Sequence, residues 1–382
     1  MRVGKRFGGA ALVCASLYGC VTPQQQSNKP LQIVSIDVEG GAAVLFVTPE
    51  GKSLLIDTGW PAGMGGARRP VAGGPAPAAP APASAAPSSA DRIVAVAQKA
   101  GLRKLDFVLI THYHVDHVGG FSELIGKFPV DTILDHGPNR ETPRANAPAS
   151  ATQPVVLYPA YEKLIANHRR QSLKPGDKVQ IGSLTLTTVA SDGEVLGNPL
   201  PGAGQANPDC VAMTEKPTNG GEENARSVGV LMTYGSARVV SLGDLTWNVE
   251  KALVCPVNKV GSTDLLLVSH HGSNLSNSPA LVHALTPRVA IMNNGAQKGG
   301  DPETYDTVST STGLQRLWQL HFATKGGAAR NPAEPYIANL TDDPDQHSAL
   351  HISVFPDGRL MVLNERTGFS ESYPSNTNPP SK

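Results

Sequence analysis

The segment 111–120, Thr-His-Tyr-His-Val-Asp-His-Val-Gly-Gly, restricts the possible structures of this chain more than any other part of the sequence. It follows the apolar run 105–110 and holds four potential metal ligands within six positions: His112, His114, Asp116 and His117. In a strand the first two imidazoles lie on one side, and Gly119-Gly120 would allow the turn that brings the other two to them. These ligand types suit zinc or a similar divalent ion. The segment therefore predicts a metal centre at a strand end, which we favour over a histidine-rich surface loop.

The composition permits a large core and argues against a dedicated nucleic-acid-binding protein. The 382 residues are 40% hydrophobic, enough for one large domain or two small ones. The formal net charge is zero, whereas proteins that hold nucleic acid electrostatically are normally basic. Outside the N-terminal segment only Cys210 and Cys255 remain, and they form either one disulfide or two separate buried thiols.

The N-terminal segment has the features of an export signal. Three basic residues and no acidic residue precede the apolar stretch 7–17, which is too short to span a bilayer. The next residues, Leu17-Tyr18-Gly19-Cys20, resemble a bacterial lipobox, with Tyr18 bulkier than the usual residue. An ordinary secretory signal cut nearby is the alternative. Both interpretations export the protein, and lipidation adds an anchor.

We therefore predict a signal peptide at 1–19, lipidation of Cys20 and a tether at 20–30. Val21, rather than Asp, follows the cysteine. By resemblance to enterobacterial sorting, this favours a periplasmic lipoprotein of the outer membrane that contacts the membrane only through its anchor.

The remaining sequence predicts one domain at 31–369 with a disordered tail at 370–382. Residues 61–90 consist largely of Ala, Pro, Gly and Ser and are predicted to be a low-complexity insertion within that domain. Runs of strands alternate with helices and then repeat the same order. This order suggests two sheets with helices outside, an αβ/βα sandwich.

Further candidate ligands stand at the ends of other predicted strands. Leu54-Leu-Ile-Asp-Thr-Gly59 places Asp57 after one strand, and Val239-Val-Ser-Leu-Gly-Asp244 places Asp244 after another. A third strand ends in the pair His270-His271. A two-metal site needs more donors than a single zinc site, including a bridging carboxylate.

Taken in order, Asp-Thr-Gly, His-x-His-x-Asp-His, Gly-Asp and a late histidine resemble the pattern of the metallo-β-lactamase superfamily. Val-Ser-His-His-Gly-Ser at 268–273, the segment 222–228 and Asn293-Asn294-Gly295 look like one branch of it. That branch is the metallo-β-lactamase domain of the DNA-uptake channel protein ComEC and its free-standing relatives. The resemblance covers residues 31 to about 365 and implies an α+β fold, the four-layer αβ/βα sandwich.

The resemblance also implies roles by position. His112 and His114 would bind a first metal, Asp116 and His117 a second, and Asp244 would bridge both. One of His270 and His271 would complete the second site, and the sequence does not decide which. Asp57 would orient the histidine loop without binding metal. Asp116 would also help to orient the attacking group.

The chain departs from the superfamily where a further ligand histidine is expected. The sequence there is Val189-Ala-Ser-Asp-Gly193, so Asp192 is either a replacement ligand or a turn residue. Losing an imidazole hardens the site towards oxygen donors, so manganese or magnesium becomes more plausible. His136 and Asn294 are candidate pocket or substrate residues, with a loop histidine and a turn asparagine as the alternatives.

These features together predict a metal-dependent hydrolase with two divalent ions, zinc in preference to manganese. A metal-bound hydroxide would attack a phosphodiester bond or a related ester bond. The substrate would be a phosphodiester or another small molecule. The alternatives are a lactone, thioester or β-lactam hydrolase, or a non-catalytic binding lipoprotein stabilised by metal.

Overall fold

The computed structural model describes residues 1, 4, 29–65, 86–142, 150–214, 216 and 222–375. The predicted signal peptide, except for residues 1 and 4, and Cys20 lie outside these residues. So do most of the 61–90 insertion, at 66–85, and the chain after 375. Among the described residues, no helix has the length and apolar character needed to cross a membrane.

Two mixed sheets form the centre of the molecule. In the first, the order is β18-β17-β16-β1-β2-β3-β4-β5-β6. Its strands are β1 (Leu31–Ser35), β2 (Val44–Val47), β3 (Ser53–Ile56), β4 (Leu105–Leu109), β5 (Val130–Asp135), β6 (Arg169–Ser172), β16 (Leu350–Val354), β17 (Leu360–Asn364) and β18 (Ser370–Tyr373).

In the second sheet, the order is β15-β14-β13-β12-β11-β10-β8-β7, and β9 pairs with β8. Its strands are β7 (Lys178–Ile181), β8 (Leu184–Ser191), β9 (Glu194–Val195), β10 (Gly229–Tyr234), β11 (Ala237–Ser241), β12 (Leu265–Val268), β13 (Val289–Met292), β14 (Arg316–His321) and β15 (Ile337–Asn339).

The apolar side chains of each strand alternate between two cores because successive residues point to opposite faces. Ile33 and Phe46 face the core between the sheets, which also contains residues of the second sheet such as Met232. Val34 and Leu45, their neighbours in sequence, face a second core under the outer helices. Both faces of the first sheet are therefore buried, which explains why its central strands are mostly apolar.

Helices cover the outer face of each sheet. They are α1 (Ser89–Lys99), α2 (Val115–Val118), α3 (Phe121–Lys127), α4 (Pro154–Ile165), α5 (Trp247–Val254), α6 (Pro279–Leu285) and α7 (Pro302–Ser309). Helices α1, α3 and α4 pack on the first sheet, and α5 and α6 pack on the second. Helix α7 joins α6 over β12 and β13. The four layers confirm the predicted αβ/βα sandwich.

Parallel pairing brings the functional strand ends to one edge. Strands β3, β4 and β5 run parallel, and so do β11 to β15. The carboxyl ends of β3, β4, β11 and β12 therefore meet where the two sheets face each other. All the predicted ligand motifs except that at Asp192 follow one of these strand ends.

Several sequence boundaries were wrong. The predicted tail at 370–382 begins with an ordered strand, because Ser370–Tyr373 pairs with β17 and buries Tyr373. The predicted insertion at 61–90 includes the first two residues of α1, a helix that Ser88 caps by accepting from the backbone N–H of Asp91. Cys210 and Cys255 form a disulfide, which settles the two alternatives left open by the sequence.

Candidate metal centre

The first ligand loop, residues 111–117, leaves the end of β4 in an extended conformation and then enters the single turn of α2. This turn brings Asp116 and His117 back towards His112. Gly119 and Gly120 have helical φ angles of −62° and −76°, so the turn needs no left-handed glycine. Their role is close approach, because a Cβ on Gly120 would lie 2.1 Å from the carbonyl oxygen of Thr58.

The second ligand loop, residues 269–278, leaves the end of β12 through two consecutive left-handed residues. His270 has φ 54° and ψ 41°, and His271 has φ 54° and ψ 20°. Their ring centroids are 6.2 Å apart, with 69° between the ring planes. The two imidazoles therefore approach the centre from different directions, which strand alternation alone does not predict.

Four buried residues form the first compact group of donors: Asp116, His117, Asp244 and His271. Their ligand atoms lie within 4.8 Å of one another. His271 Nε2 is 3.1 Å from Asp116 Oδ2 and 3.2 Å from His117 Nε2. This group contains His271 and excludes His270, the choice that the sequence left open.

A second compact group consists of His112, His114 and Asp244. His112 Nε2 lies 3.0 Å from His114 Nδ1 and 3.8 Å from Asp244 Oδ2. Asp244 belongs to both groups, so its carboxylate stands between them.

The far nitrogen of each buried ring in these groups is held by another part of the fold. His117 Nδ1 donates to Asp57 Oδ2 at 2.7 Å, and His271 Nδ1 donates to the carbonyl oxygen of Asn293 at 3.1 Å. The Thr111 hydroxyl donates to Asp57, so it accepts from His112 Nδ1 at 3.1 Å. Such contacts fix the ring orientation and tautomer of metal-binding histidines. In each case the Nε2 atom faces the centre.

The charges of the centre oppose burial. Burial raises the pKa of Asp244, but His117, His270 and His271 lower it by more than burial raises it. The pKa of Asp244 is therefore well below its usual value. Burial also raises the pKa of Asp116, and the Lys298 ammonium and His117 together hold it well below the usual value. Both carboxyl groups are therefore ionised at neutral pH.

The histidines divide into two kinds. Burial lowers the pKa of His112 well below its usual value and that of His270 to about 4, so both rings are neutral at pH 7. Burial also lowers the pKa of His117, but Asp244, Asp116 and Asp57 raise it well above the usual value. The negative charges of the carboxylates therefore favour a positive charge among His117 Nε2, His271 Nε2 and Asp116 Oδ2, which lie close together.

Lys298 was not among the residues selected from the sequence. Its ammonium group contacts Asp116 Oδ2, and it lies 4.9 Å from the centroid of the Trp60 ring. The side chain retains 26% exposure, so it links the buried carboxylate to the surface. No local sequence signal distinguishes this lysine, because only the folded loop after β13 brings it to the first sheet's ligand loop.

Asp192 belongs to neither donor group. Its Oδ1 accepts from Arg226 at 2.6 Å, and Arg140 lies 3.6 Å from its Oδ2. It occupies the turn after β8 with φ 48°. The geometry therefore supports the turn interpretation over the ligand interpretation.

His136 and Asn294 are both buried away from the donor groups. His136 Nε2 lies 3.1 Å from Glu223 Oε2, and the ring packs against Tyr113. Asn294 ties two strands together, because its Nδ2 donates to the carbonyl oxygen of His321 at 2.8 Å. The neighbouring Asn293 contacts the centre instead, through its backbone carbonyl.

The donor set fits divalent metal ions. It combines imidazole nitrogen with carboxylate oxygen, it is buried, and its carboxylates are ionised. Burying such charges is unfavourable unless they are paired or coordinate a cation. Zinc, manganese and related ions use these ligand types, and a shared carboxylate suits two ions.

Comparison with known proteins gives similarity in sequence and in fold. The family model described as the metallo-beta-lactamase superfamily matches residues 37–177, which include Asp57 and the first ligand loop. The chain is 24% identical over 203 residues to Competence protein ComA of Neisseria gonorrhoeae, a match that covers 53% of this chain and 22% of ComA. The chain therefore corresponds to less than a quarter of that relative's length.

Among solved structures, the metallo-beta-lactamase fold protein YhfI from Bacillus subtilis is 13% identical with a TM-score of 0.41, over 76% of this chain and 96% of YhfI. A diphosphatase from the PhnP family is 14% identical with a TM-score of 0.36, over 75% of this chain and 94% of that one.

Proposed function

The chain belongs to the metallo-β-lactamase superfamily, and on that premise we propose that it is a two-metal hydrolase. Members of this fold are mostly hydrolases, and the buried histidine and aspartate cluster fits divalent metal binding. In the proposal, the group around Asp116 and His271 holds one ion, and the group around His112 and His114 holds the other. Zinc is the favoured ion, since imidazole nitrogen predominates among the donors.

One observation carries the proposal. Asp244 Oδ2 lies within 4 Å of Nε2 of four imidazoles, at 3.3 Å from His117 and His270, 3.8 Å from His112 and 3.9 Å from His271. A purely structural aspartate needs one or two donors, and four rings around one oxygen exceed that need. A carboxylate bridging two cations accounts for the arrangement.

Bound divalent ions would supply Lewis acidity and activate a water molecule at neutral pH. The protein's own residues would do the rest. Asp57 and the Asn293 carbonyl hold the rings of His117 and His271 in place, so little reorganisation is needed during the reaction. Asp116, ionised and at the border of the group, would orient the attacking water by accepting its hydrogen bond.

The position of Lys298 supports an anionic substrate, and within the proposal we favour a phosphodiester or a related charged ester. The ammonium group stands at the border of the centre and is partly exposed. A lysine at this place can pair with a phosphate oxygen close to the scissile bond. A neutral lactone or thioester would gain less from such a charge.

The principal test changes the bridging carboxylate. Asp244→Asn keeps the size of the side chain but removes its charge, so we expect the loss of bound metal and of turnover of bis(p-nitrophenyl) phosphate. Asp192→Asn is the matched control, because it neutralises an acid outside both donor groups. Metal analysis and circular dichroism would accompany the rates. Wild-type protein that retains no ion after zinc or manganese loading would contradict the proposal, as would full activity of Asp244→Asn.

A second test concerns the substrate. Lys298→Met should raise KM for bis(p-nitrophenyl) phosphate by about tenfold, the value of one charge-assisted hydrogen bond, and leave metal content unchanged. A neutral p-nitrophenyl ester serves as the comparison substrate, and Lys298→Arg as the variant that retains charge. Equal effects on both substrates would argue against an anionic substrate, and efficient turnover of a chromogenic cephalosporin would indicate a β-lactam hydrolase instead.

We also propose that the enzyme is exported and anchored through Cys20, which lies outside the described residues. The Cys210–Cys255 disulfide supports an oxidising compartment. Labelled palmitate should enter the wild-type protein in bacteria and should not enter Cys20→Ala. Labelling of that variant would contradict the anchor.

A further inference from the structure

The donor group that would hold the first metal has fewer donors than the group that would hold the second. His112, His114 and Asp244 form it, whereas the other group has four members. Structural zinc sites use four protein ligands and catalytic zinc sites use three. One of the three donors here, the Asp244 carboxylate, would be shared with the second ion. The end of β8, where the resemblance leads one to expect another histidine, offers only Asp192. That side chain is held by Arg226 at 2.6 Å.

His270 stands next to this smaller group. Its Nε2 is 3.3 Å from Asp244 Oδ2, the oxygen that His112 Nε2 approaches to 3.8 Å. The left-handed conformations of His270 and His271 point the two rings in different directions, and only His271 joins the group of Asp116 and His117. His270 is outside the compact group of three, so coordination requires its ring to move closer to His112 and His114 than it stands here.

The ring of His270 is oriented like that of a metal-binding histidine, with one nitrogen held by the protein and the other facing the centre. Ser276 Oγ donates to the carbonyl oxygen of Asp244 at 3.5 Å, so it accepts from His270 Nδ1 at 3.1 Å. This leaves the lone pair of Nε2 directed towards the carboxylate. The backbone N–H of His270 also donates to the carbonyl oxygen of Gly243, which fixes the residue beside Asp244.

A buried amide beside His270 gives a second, independent indication. Asn224 is 2% exposed, and its Oδ1 has no hydrogen-bond partner among the described residues. Its Nδ2 lies 3.5 Å from His270 Nε2. The oxygen and nitrogen of an amide are assigned from their hydrogen bonds. The opposite assignment for Asn224 would turn its oxygen, a possible metal ligand, towards His270 Nε2. With that opposite assignment, the atom beside His270 Nε2 is an oxygen that a nearby cation or its water ligand would satisfy.

We propose that His270 provides the third imidazole of the first metal site, in place of the histidine that is missing after β8. This inference rests on the proposed two-metal function and concerns which residue completes it. The adjacent residues of one loop then serve different ions, His270 the first and His271 the second. With nitrogen from three rings, the first site favours zinc over manganese.

The test measures metal binding directly. Zinc content should fall from about two ions per chain in the wild type to about one in His270→Ala, and stay at about two in Asp192→Asn. In cadmium-113 NMR, the wild type should give two resonances. His270→Ala and His271→Ala should each remove or shift a different one.

The outcomes separate the inference from the function on which it rests. Two ions at wild-type affinity in His270→Ala would overturn the inference and leave the hydrolase proposal intact, and so would a loss of zinc in Asp192→Asn. Changes to the same resonance in both histidine variants would place His270 at the second ion and overturn it too. A wild-type chain that binds no metal would refute the proposed function itself.

His270→Gln guards against misfolding of the alanine variant, because its amide can still meet Ser276 while it lacks the imidazole donor. Circular dichroism in both the far and near ultraviolet checks the fold of each variant. If His270→Gln is folded and retains two ions of wild-type affinity, the inference is wrong.

Discussion

The two ligand loops are each fastened by a buried carboxyl group, but the surroundings of these two groups differ. Asp57 holds the first ligand loop by accepting from the backbone N–H and the hydroxyl of Thr111, both at 2.8 Å, and from His117. Glu250 holds the second ligand loop by accepting from the backbone N–H groups of Asn277 and Ser278, at 2.6 and 2.8 Å.

Asp57 contacts a ring of the donor group itself, whereas Glu250 acts at a greater distance. From its place on α5, Glu250 fixes Asn277, and Asn277 in turn accepts from the backbone N–H of Ser269 and donates to its carbonyl, both at 2.9 Å. Burial raises the pKa of Glu250 to about 7, because the hydrogen bonds from Ser278 and Asn277 only partly offset desolvation. The comparison indicates that the support of the second ligand loop is sensitive to pH near neutrality.

Among changes to the residues that fasten the two ligand loops, the largest effect is expected from Asp57→Asn. The amide cannot accept from both Thr111 and His117 as the carboxylate does, and it removes a negative charge beside His117. Loss of such an outer partner typically weakens metal binding by about 10- to 100-fold. Competition with a chromogenic chelator would measure this loss, and unchanged affinity would show that Asp57 serves folding alone.

Glu250→Gln should have a smaller effect on the centre and a characteristic effect on stability. The raised folded-state pKa means that the protonated form of Glu250 stabilises the fold. This contribution is fully present below the unfolded pKa of Glu and is lost as pH rises through about 7. The wild type should therefore lose about 2 kcal/mol of folding free energy between about pH 5 and pH 8 from this group.

Chemical denaturation of metal-free protein at several pH values provides the measurement. The glutamine variant should be less stable than the wild type near pH 5, where it lacks one acceptor, and the difference should shrink or reverse near pH 8. Parallel pH curves for the two proteins would show that Glu250 does not titrate in this range.

The smallest effect is expected from Thr111→Val. The Thr111 hydroxyl donates to Asp57 and accepts from His112. Its removal takes one hydrogen bond from each of these side chains but leaves the direct contact between Asp57 and His117. A hydrogen bond of this kind contributes about 1 kcal/mol, which corresponds to a loss of metal affinity of less than about tenfold. A loss as large as that of Asp57→Asn would mean that the aspartate works mainly through the threonine.

The sequence identified the parts of the centre that are local. His112 to His117 form a dense motif after an apolar strand, and Asp244 follows the end of another strand, so each was a candidate ligand from its own pattern. The resemblance to the metallo-β-lactamase superfamily then implied that they act in one centre. The choice between His270 and His271 depends on two left-handed residues, a conformation that L-amino acids adopt rarely and that alternation does not anticipate.

Contacts between distant segments escaped the sequence analysis. Lys298, Glu250 and Ser276 carry no motif, and each acquires its place only when strands far apart in the chain pack together. Strand β14 also lacks a clear sequence signal, since Arg316-Leu-Trp-Gln-Leu-His321 mixes polar and apolar residues without regular alternation. Its Gln319 and His321 are nevertheless buried, one beside Met292 and the other against Asp37.

The donors of the centre come from both sheets, and residues 118–268 separate the two ligand loops in the chain. Any ion that binds this folded arrangement more tightly than the unfolded chain adds to the stability of the fold by mass action. It would also hold the two sheets together at this edge, where the backbone N–H of Val228 donates to the carbonyl oxygen of Thr111. The free concentration of divalent cations around the protein would then help to set its lifetime against proteases, independently of whether substrate is present.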